Sequence, residues 1–368
     1  MIRVAYDREL AITPAWLALP IEAVAIDGRS VTASELQQID ALVVRSVTVV
    51  GETLLANTGV RFVGTATAGF DHLDVDYLRR AGVEVATAAG ANAHAVMEYV
   101  LASLAATGRL EAVRDGASVG IVGLGAVGTR VARVLSGLGA TVVAYDPLLG
   151  QWPDGVRSAS LDTVLSQSIV CLHPALHDQH PHGTRGLIDA QSLPLFRSGQ
   201  LLINAARGEL IDEPTLIALA GQGVCLALDV WPNEPQMSAE LAQAGALLTP
   251  HIAGYSVEAK ARATDLMARA LSRFWRLDPH SVAQTGGVNI DARLVGCAEN
   301  RFDDWAHLPQ HWVEVIEQCY PLRAIDARLR RLLSKGLSSA DYDQLRREAM
   351  TRREFSPDMA CESLVVGV

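Results

Sequence analysis

The stretch SVGIVGLGAVGTRVARVLSGLGATVVAYD, residues 118–146, holds an apolar strand candidate, a glycine-rich turn, a helix and a second strand, in that order. The strand candidates are 118–122 and 141–145, and the turn GLGAVG occupies Gly123–Gly128. Asp146 follows the second strand directly, eighteen residues after the last glycine. A G-x-G-x-x-G pattern alone is weak evidence. Between a strand and a helix, with an acid about 20 residues further on, it is typical of a dinucleotide-binding βαβ unit. The stretch therefore predicts a Rossmann-type, doubly wound parallel sheet.

The glycines of this turn, and the acid that follows, indicate which cofactor binds. Gly123 would permit the tight turn, Gly125 would let a pyrophosphate approach the helix N-terminus, and Gly128 would let helix and strand pack closely. Asp146 would accept hydrogen bonds from the adenosine ribose hydroxyls and repel a 2′-phosphate. The two residues after Asp146 supply no cation to hold such a phosphate. The stretch therefore predicts NAD rather than NADP.

A second cluster of polar residues follows three apolar runs further along the chain. These runs are 201–204, 225–230 and 246–249. Arg207, Asp229, Glu234 and His251 lie at or just past their ends, where open α/β sheets bind ligands. Arg207 can hold a substrate carboxylate through two parallel N–H bonds, and His251 can accept the proton of a neighbouring hydroxyl. Glu234 would hold the other ring nitrogen and favour the charged imidazole. Together they predict oxidation of a 2-hydroxy acid.

The composition is that of a multidomain protein with large hydrophobic cores. Its 368 residues, 49% of them hydrophobic, exceed what one core usually supports, so two or three domains are expected. The net charge of −10 argues against a general nucleic-acid or membrane surface, and no apolar run has the length of a membrane span. The N-terminus has the pattern of a first strand rather than of a signal peptide, and the five cysteines contain no CxxC pair. A cytoplasmic protein with reduced thiols and no metal is expected.

The order of strand and helix patterns predicts one domain inserted in another. Residues 1–92 and 257–285 would form a smaller flavodoxin-like α/β domain that binds substrate, and residues 93–256 would form the NAD-binding domain. Long apolar helices would carry the chain between the two, and the active site would lie in the cleft between them. Residues 286–368 do not fit this plan and predict a separate C-terminal domain.

The C-terminal residues 323–353 are rich in arginine, although the chain is acidic as a whole. They hold eight arginines and one lysine against four acids. One interpretation is a solvated helical face. The alternative is that some of these arginines contact an anionic ligand or a partner subunit.

Several motifs together resemble those of the D-2-hydroxyacid dehydrogenase family. They are GLGAVG, NAARGELID, DVWPNEP and PHIAGYSVEAKAR, with VRSVT at 44–48, FVGTATAG at 62–69, Leu345-Arg-Arg and RREF at 352–355. The likeness covers nearly the whole chain, and within the family it is to members that oxidise 4-phospho-D-erythronate at carbon 2 in pyridoxal 5′-phosphate biosynthesis. It implies a homodimer whose C-terminal α+β domain, residues 286–368, mediates dimerisation.

The resemblance also implies roles for individual residues. The catalytic residues would be Arg207, Glu234 and His251. The cofactor contacts would be Gly123, Gly125, Val127, Gly128, Asp146, Asp229 and Gly254. The substrate contacts would be Arg45, Ser46, Thr67, Tyr255 and Arg353. One departure is that His173-Pro-Ala stands where such proteins often have His-Thr-Pro, so that Pro174 replaces a threonine expected near the cofactor.

The phosphate of such a substrate requires a cation other than Arg207, which would hold the carboxylate. Arg45, next to Ser46 at a strand end, and the Arg352–Arg353 pair are the candidates, and arginine suits phosphate because its planar donors match the oxygens in pairs. For Arg45 a surface salt bridge is the alternative. For the whole chain the alternatives are another member of the family, such as a 3-phosphoglycerate or D-lactate dehydrogenase, and a protein that senses NAD without catalysis.

Overall fold

The structure is a computed structural model, and it describes residues 1–277 and 312–355. These residues form two compact units. One contains residues 1–92 and 257–277, and the other contains residues 93–256 and 312–355. The described C-terminal residues therefore group with the glycine-rich turn, and the second unit interrupts the first along the chain.

The first unit is built on a five-stranded parallel sheet. Its strands are β1 (Ile2–Asp7), β2 (Ile21–Ile26), β3 (Ala41–Val44), β4 (Phe62–Thr65) and β5 (Glu84–Thr87). They lie in the order β2-β1-β3-β4-β5, which is the flavodoxin-like order. Strands β3 and β4 are buried on both faces, as strands between two helical layers are.

Helices cover this sheet. They are α1 (Pro14–Leu17), α2 (Glu52–Leu55), α3 (Val75–Arg80) and the later α10 (Val257–Trp275), with a 3-10 turn at Ala33–Leu36. Helix α10 packs through Met267 and Leu271 against a core that includes Val4 and Phe62. The chain thus returns after residue 256 to complete a core that its first 92 residues began.

The second unit contains a seven-stranded parallel sheet. Its strands are β6 (Ser118–Val122), β7 (Thr141–Tyr145), β8 (Arg157–Ser158), β9 (Ile169–Leu172), β10 (Leu201–Asn204), β11 (Cys225–Leu228) and β12 (Leu247–Leu248). Their order is β12-β11-β10-β9-β6-β7-β8, so the strand order reverses between β6 and β9. That reversal is the switch point at which doubly wound sheets bind ligands. Alternate residues of β9 enter two separate cores, one on each face.

Helices lie on both faces of this second sheet. They are α4 (Ala93–Ala106), α5 (Leu110–Arg114), α6 (Ala126–Gly137), α7 (Leu161–Leu165), α8 (Glu213–Gly221) and α9 (Ala239–Ala244), with 3-10 turns at Ala190–Leu195 and Gly208–Leu210. Helix α4 is buried on nearly every face, as expected of a helix that is apolar all round. The predicted fold class, two parallel α/β sheets of these two types, is confirmed.

The described C-terminal residues form three helices. They are α11 (Trp312–Cys319), α12 (Leu322–Leu333) and α13 (Ser339–Ala349). Trp312 and Ile316 of α11 enter the core that surrounds α4, and Leu329 of α12 enters the core on the other face of the sheet. Any strands of the predicted α+β domain lie outside the described residues, and dimerisation through this region stays a prediction.

Candidate active site

The loops after β11 and β12 bring together a carboxylate and an imidazole. Nδ1 of His251 lies 2.8 Å from Oε2 of Glu234. Oε1 of Glu234 accepts a hydrogen bond of 3.0 Å from the Trp231 backbone N–H, and Oε2 accepts one of 2.9 Å from the Tyr342 hydroxyl. Because Glu234 binds Nδ1, the other ring nitrogen of His251, Nε2, is left for a reacting group. The predicted Glu–His pair is therefore assembled.

Glu234 is held as a carboxylate by its surroundings. Burial raises the pKa of the Glu234 carboxyl, but the His251 charge and the hydrogen bonds from His251, Tyr342 and Trp231 lower it more, so that the net pKa lies below its ordinary value. A carboxyl whose pKa is lowered on folding contributes stability above its ordinary pKa and loses that contribution as the pH falls through the lowered value. At neutral pH Glu234 is therefore ionised.

Asp229, predicted as a cofactor contact, is buried and holds the loop that carries His251. Oδ1 accepts hydrogen bonds of 2.7 Å from the Thr249 hydroxyl and 2.8 Å from the Ile252 N–H, and Oδ2 accepts one of 2.8 Å from the Ala253 N–H. Burial raises the pKa of Asp229, while the His251 charge and these hydrogen bonds oppose the rise. His251 has a positive φ of 55° within this loop. The contacts of Asp229 fix the loop in a conformation that its sequence alone would rarely adopt.

Arg207 lies in the loop after β10, braced by its own neighbours. The Asn204 amide donates to the Arg207 carbonyl at 2.9 Å and accepts from the Ala206 N–H at 3.1 Å. Nη1 of Arg207 donates to the Ala206 carbonyl at 2.7 Å. A side chain at Gly208 would put its Cβ 2.2 Å from the Trp231 carbonyl carbon. Gly208 therefore lets the Arg207 loop lie directly against the loop that carries Glu234.

The glycine-rich turn has the geometry of a dinucleotide site. Gly123 has a φ of +84°, and a Cβ there would lie 2.7 Å from the Pro174 nitrogen. A Cβ on Gly128 would lie 1.9 Å from the Gly123 carbonyl oxygen, whereas a Cβ on Gly125 would meet nothing within 4 Å. Helix α6 begins here without a side-chain cap, and the N–H groups at such a helix N-terminus, which includes Val127, suit an anion. These residues fit a cofactor pyrophosphate.

Asp146 follows β7 and is hydrogen-bonded to the glycine-rich turn. Oδ2 accepts a hydrogen bond of 2.8 Å from the Leu124 N–H, and Oδ1 accepts one of 3.1 Å from the Leu148 N–H. The carboxylate is only partly buried, which leaves it accessible to a ribose. Pro174, which departs from the family pattern, lies with its backbone directly against Gly123, so that no Cβ would fit at Gly123.

His173, beside Pro174, has an unusual environment that the sequence did not indicate. Its Nε2 is buried and has no hydrogen-bond partner, and its backbone N–H donates to the Val122 carbonyl at 2.8 Å. Burial lowers the pKa of His173 to about 4. This imidazole is therefore neutral at physiological pH.

The predicted substrate residues of the first unit follow β3 and β4. Nε of Arg45 lies 3.0 Å from Oδ2 of Asp7, whose side chain is 1% exposed, so Arg45 neutralises a buried carboxylate. Ser46 is exposed. The Thr67 hydroxyl lies 2.6 Å from that of Thr65 and donates to the Gly69 carbonyl at 2.7 Å. The alternative considered for Arg45, a salt bridge, is thus present, with a partner that is buried rather than on the surface.

The C-terminal helices add residues to the site that sequence reasoning missed. Tyr342 of α13, besides its bond to Glu234, packs edge-on against Trp231, with ring centres 5.9 Å apart. Arg346, one turn further on, donates from Nη2 to the hydroxyl of Tyr255, one residue after the partly buried Gly254. The sequence around Tyr342 has a helical pattern with charged neighbours, and it carries no signal of such contacts.

Arg352 and Arg353, predicted together as phosphate candidates, have different environments. Nη1 of Arg352 lies 2.6 Å from Oε2 of the fully buried Glu98 in α4, and only 8% of the Arg352 side chain is exposed. Arg353 is exposed. The charge of Arg352 is therefore already matched inside the protein.

Two further properties concern the described residues only. They contain no group of three or more His, Cys, Asp or Glu side chains that could hold a metal ion. None of their helices combines the length and apolar character that a bilayer span requires.

Comparisons with known proteins identify relatives of this chain. Residues 102–253 match the model of the D-isomer specific 2-hydroxyacid dehydrogenase NAD-binding domain. The chain is 39% identical to erythronate-4-phosphate dehydrogenase of Pseudomonas entomophila over 349 residues, which are 93% of this chain and 88% of that protein. It is 37% identical to the enzyme of the same name from Escherichia coli O157:H7 over 344 residues, 91% of this chain and 87% of that protein.

Solved structures share the fold. The D-lactate dehydrogenase of Aquifex aeolicus, complexed with NAD and lactic acid, superposes with a TM-score of 0.61 at 22% identity. The superposition covers 74% of this chain and 95% of that one.

Proposed function

Since this chain belongs to the D-isomer specific 2-hydroxyacid dehydrogenase family and is an NAD-dependent oxidoreductase, we propose that its substrate is 4-phospho-D-erythronate. The product would be 3-hydroxy-2-oxo-4-phosphooxybutanoate, an intermediate on the way to pyridoxal 5′-phosphate. The names of the relatives support the substrate. The observation that carries the chemistry is the 2.8 Å contact between Glu234 and His251, with the Arg207 loop packed against the Glu234 loop.

The three catalytic residues would divide the work. Arg207 would bind the substrate carboxylate through paired N–H donors and so orient carbon 2. His251 would accept the proton of the carbon 2 hydroxyl as the carbonyl forms. Glu234 would orient the ring through Nδ1 and stabilise the imidazolium that results. Asp229 would keep His251 in place by fixing its loop.

The cofactor would lie on the glycine-rich turn. Gly123, Gly125, Val127 and Gly128 would accommodate its pyrophosphate, and Asp146 would bind the adenosine ribose. Asp229 and Gly254, the other predicted contacts, belong to the loops of the catalytic residues. When bound, NAD supplies the acceptor for the hydride that leaves carbon 2.

The same proposal covers the remaining substrate contacts, the oligomeric state and the cellular location of the protein. Arg45, Ser46 and Thr67 of the first unit, with Tyr255 and Arg353 of the second, would bind the substrate. The enzyme would act as a homodimer through its C-terminal residues, in the cytoplasm.

An absorbance assay for NADH tests the proposal. The purified protein is given NAD with 4-phospho-D-erythronate, 3-phospho-D-glycerate or D-lactate in turn. We expect the highest kcat/KM with 4-phospho-D-erythronate. A higher value with either other acid would assign the chain to a different member of the family, and no turnover with any of them would favour a protein that only binds NAD.

A further inference from the structure

Helix α13 places a guanidinium beside the catalytic pair. Nη2 of Arg346 donates to the Tyr255 hydroxyl, and the guanidinium carbon lies 5.4 Å from the centre of the Tyr255 ring and 5.6 Å from that of Tyr342. The Tyr342 hydroxyl in turn donates to Glu234, which holds His251. A continuous series of contacts thus links Arg346 to the residues proposed to carry the reaction.

The charge of Arg346 has no close carboxylate partner among the described residues. The nearest ion pair is to Asp343, whose Oδ1 lies 3.9 Å from Nη1, and Glu234 is reached only through the Tyr342 hydroxyl. Nε of Arg346 is buried without a hydrogen-bond partner, and 20% of the side chain is exposed. Removing a cation from water without a matched anion is unfavourable, so this arrangement is that of a site which an anion completes.

Neighbouring arginines differ from Arg346 in this respect. Three of them have a carboxylate oxygen within 3.0 Å: Arg328 with Glu348, Arg330 with Asp326 and Arg352 with Glu98. Arg45 of the first unit is likewise 3.0 Å from Asp7. Each of these arginines has a carboxylate oxygen within hydrogen-bond distance, whereas Arg346, among the described residues, has only the 3.9 Å ion pair with Asp343 and a buried Nε without a hydrogen-bond partner.

We propose that Arg346 recognises the phosphate group of the substrate, with the Tyr255 hydroxyl next to it as a second polar contact. This inference rests on the proposed function and adds a binding residue to it. Arg207 would hold the carboxylate end, so that the two anionic ends of one substrate would have separate guanidinium groups. Arginine fits the task because its planar donors match phosphate oxygens in pairs.

Kinetics with two acids test the role of Arg346. Arg346→Gln removes the charge and keeps a polar side chain. We expect kcat/KM for 4-phospho-D-erythronate, divided by that for D-erythronate, to fall about tenfold to hundredfold, mainly through KM, as for the loss of a charged hydrogen bond. Arg346→Lys, which keeps the charge, should lose less. Arg328→Gln is the matched control, since Arg328 lies in α12 and pairs with Glu348, and it should leave the ratio unchanged. Equal losses for both acids in Arg346→Gln would make Arg346 structural and overturn the inference.

A binding measurement separates this inference from the proposed function. Inorganic phosphate is titrated calorimetrically into the NAD-loaded wild type and into Arg346→Gln, and the wild type should bind it about tenfold more tightly or better. If the wild type binds phosphate through Arg346 but does not oxidise 4-phospho-D-erythronate, the proposed substrate is wrong and the anion site stands. If the two proteins bind phosphate equally, or neither binds it, the inference is wrong even when the wild type oxidises that substrate.

Discussion

At the scale of single residues, one carboxylate oxygen governs the catalytic pair. Oε2 of Glu234 accepts from His251 on one side and from the Tyr342 hydroxyl on the other. The two donors share the same negative charge, so a change in either contact alters the other. The carboxylate that holds His251 is thus shared with a tyrosine that lies 108 residues from Glu234 in the sequence.

Two substitutions should move the pH dependence of the oxidation in opposite directions. Oxidation requires a neutral imidazole to accept the hydroxyl proton, so the rate should increase as the pH rises. Glu234→Gln removes the negative charge that favours imidazolium, and the midpoint of the pH–rate profile should move to lower pH. Tyr342→Phe removes a donor that competes with His251 for Oε2 of Glu234, and the midpoint should move to higher pH. The measurement is kcat against pH for both variants.

Two comparison variants complete that experiment. Tyr77→Phe, in the first unit, should leave the midpoint unchanged. His251→Ala removes the base and should lower kcat by about 10²–10⁴. A Tyr342→Phe enzyme that is slower at every pH with an unmoved midpoint would show that Tyr342 serves packing alone.

A second prediction at this scale concerns cofactor choice. Asp146 holds the Leu124 N–H and remains accessible, so its charge should exclude a 2′-phosphate. In Asp146→Ser, the value of kcat/KM for NAD divided by that for NADP should fall at least about tenfold. The reason is that the variant no longer repels the 2′-phosphate of NADP. Asp154→Ser, at an exposed position, is the control. A wild-type enzyme equally efficient with NADP would contradict the argument.

At the scale of elements, the loop between β12 and α10 depends on one carboxylate. Three donors of residues 249–253 converge on Asp229. Asp229→Asn turns one acceptor into a donor that faces a backbone N–H or a hydroxyl. We expect a loss of about 1–3 kcal/mol in the free energy of unfolding, together with a lower kcat, because His251 lies in this loop. Urea unfolding and steady-state kinetics measure the two effects, with Asp154→Asn as the control. A fall in kcat without a fall in stability would show that Asp229 acts on the bound cofactor rather than on the loop.

How much the sequence predicts differs from element to element. Strands β6, β7 and β10 were predicted with their observed bounds because each is an uninterrupted apolar run. Strand β2 was not predicted because its exposed residues, Glu22, Ala23 and Ala25, are types that favour helices over strands, and β8 was not predicted because it has only two residues. The Glu234–His251 contact was predicted because both residues follow parallel strands that end at one edge of the sheet. Tyr342 and Arg346 were not, because local periodicity carries no information on which distant loop a helix contacts.

At the scale of the whole chain, a buried ion pair fastens the C-terminal residues to α4. Glu98 is fully buried and accepts hydrogen bonds from Nη1 of Arg352 and from the Phe355 N–H, while His94 lies 3.0 Å from its Oε1. The Arg352 guanidinium also lies over the Tyr320 ring, 4.3 Å from its centre. These contacts hold the segment after α13 against the core of the second unit.

Removing one partner of this ion pair should lower the free energy of unfolding far more than replacing both partners by apolar residues. Glu98→Ala leaves the charge of Arg352 buried without its partner, and we expect the free energy of unfolding to fall by about 3–5 kcal/mol. The double variant Glu98→Leu with Arg352→Met should lose much less, because no uncompensated charge remains. Urea unfolding of Glu98→Leu, of Arg352→Met and of the double variant gives the coupling between the two positions. Equal losses in both would mean that the charges contribute nothing beyond their packing.

The pairing of Glu98 with Arg352 also has a consequence for how the protein is made. The ribosome adds Arg352 254 residues after Glu98, which at about 5–20 residues per second is a delay of roughly 13–50 s. Throughout that interval α4, apolar on nearly every face, carries a carboxylate whose permanent partner has not been synthesised. The nascent chain can form both of its sheets and still lack the hydroxyl that braces Glu234 and the guanidinium that neutralises Glu98. A chain that stalls before Tyr342 and Arg352 are synthesised would therefore present α4 to chaperones and proteases rather than yield a working dehydrogenase.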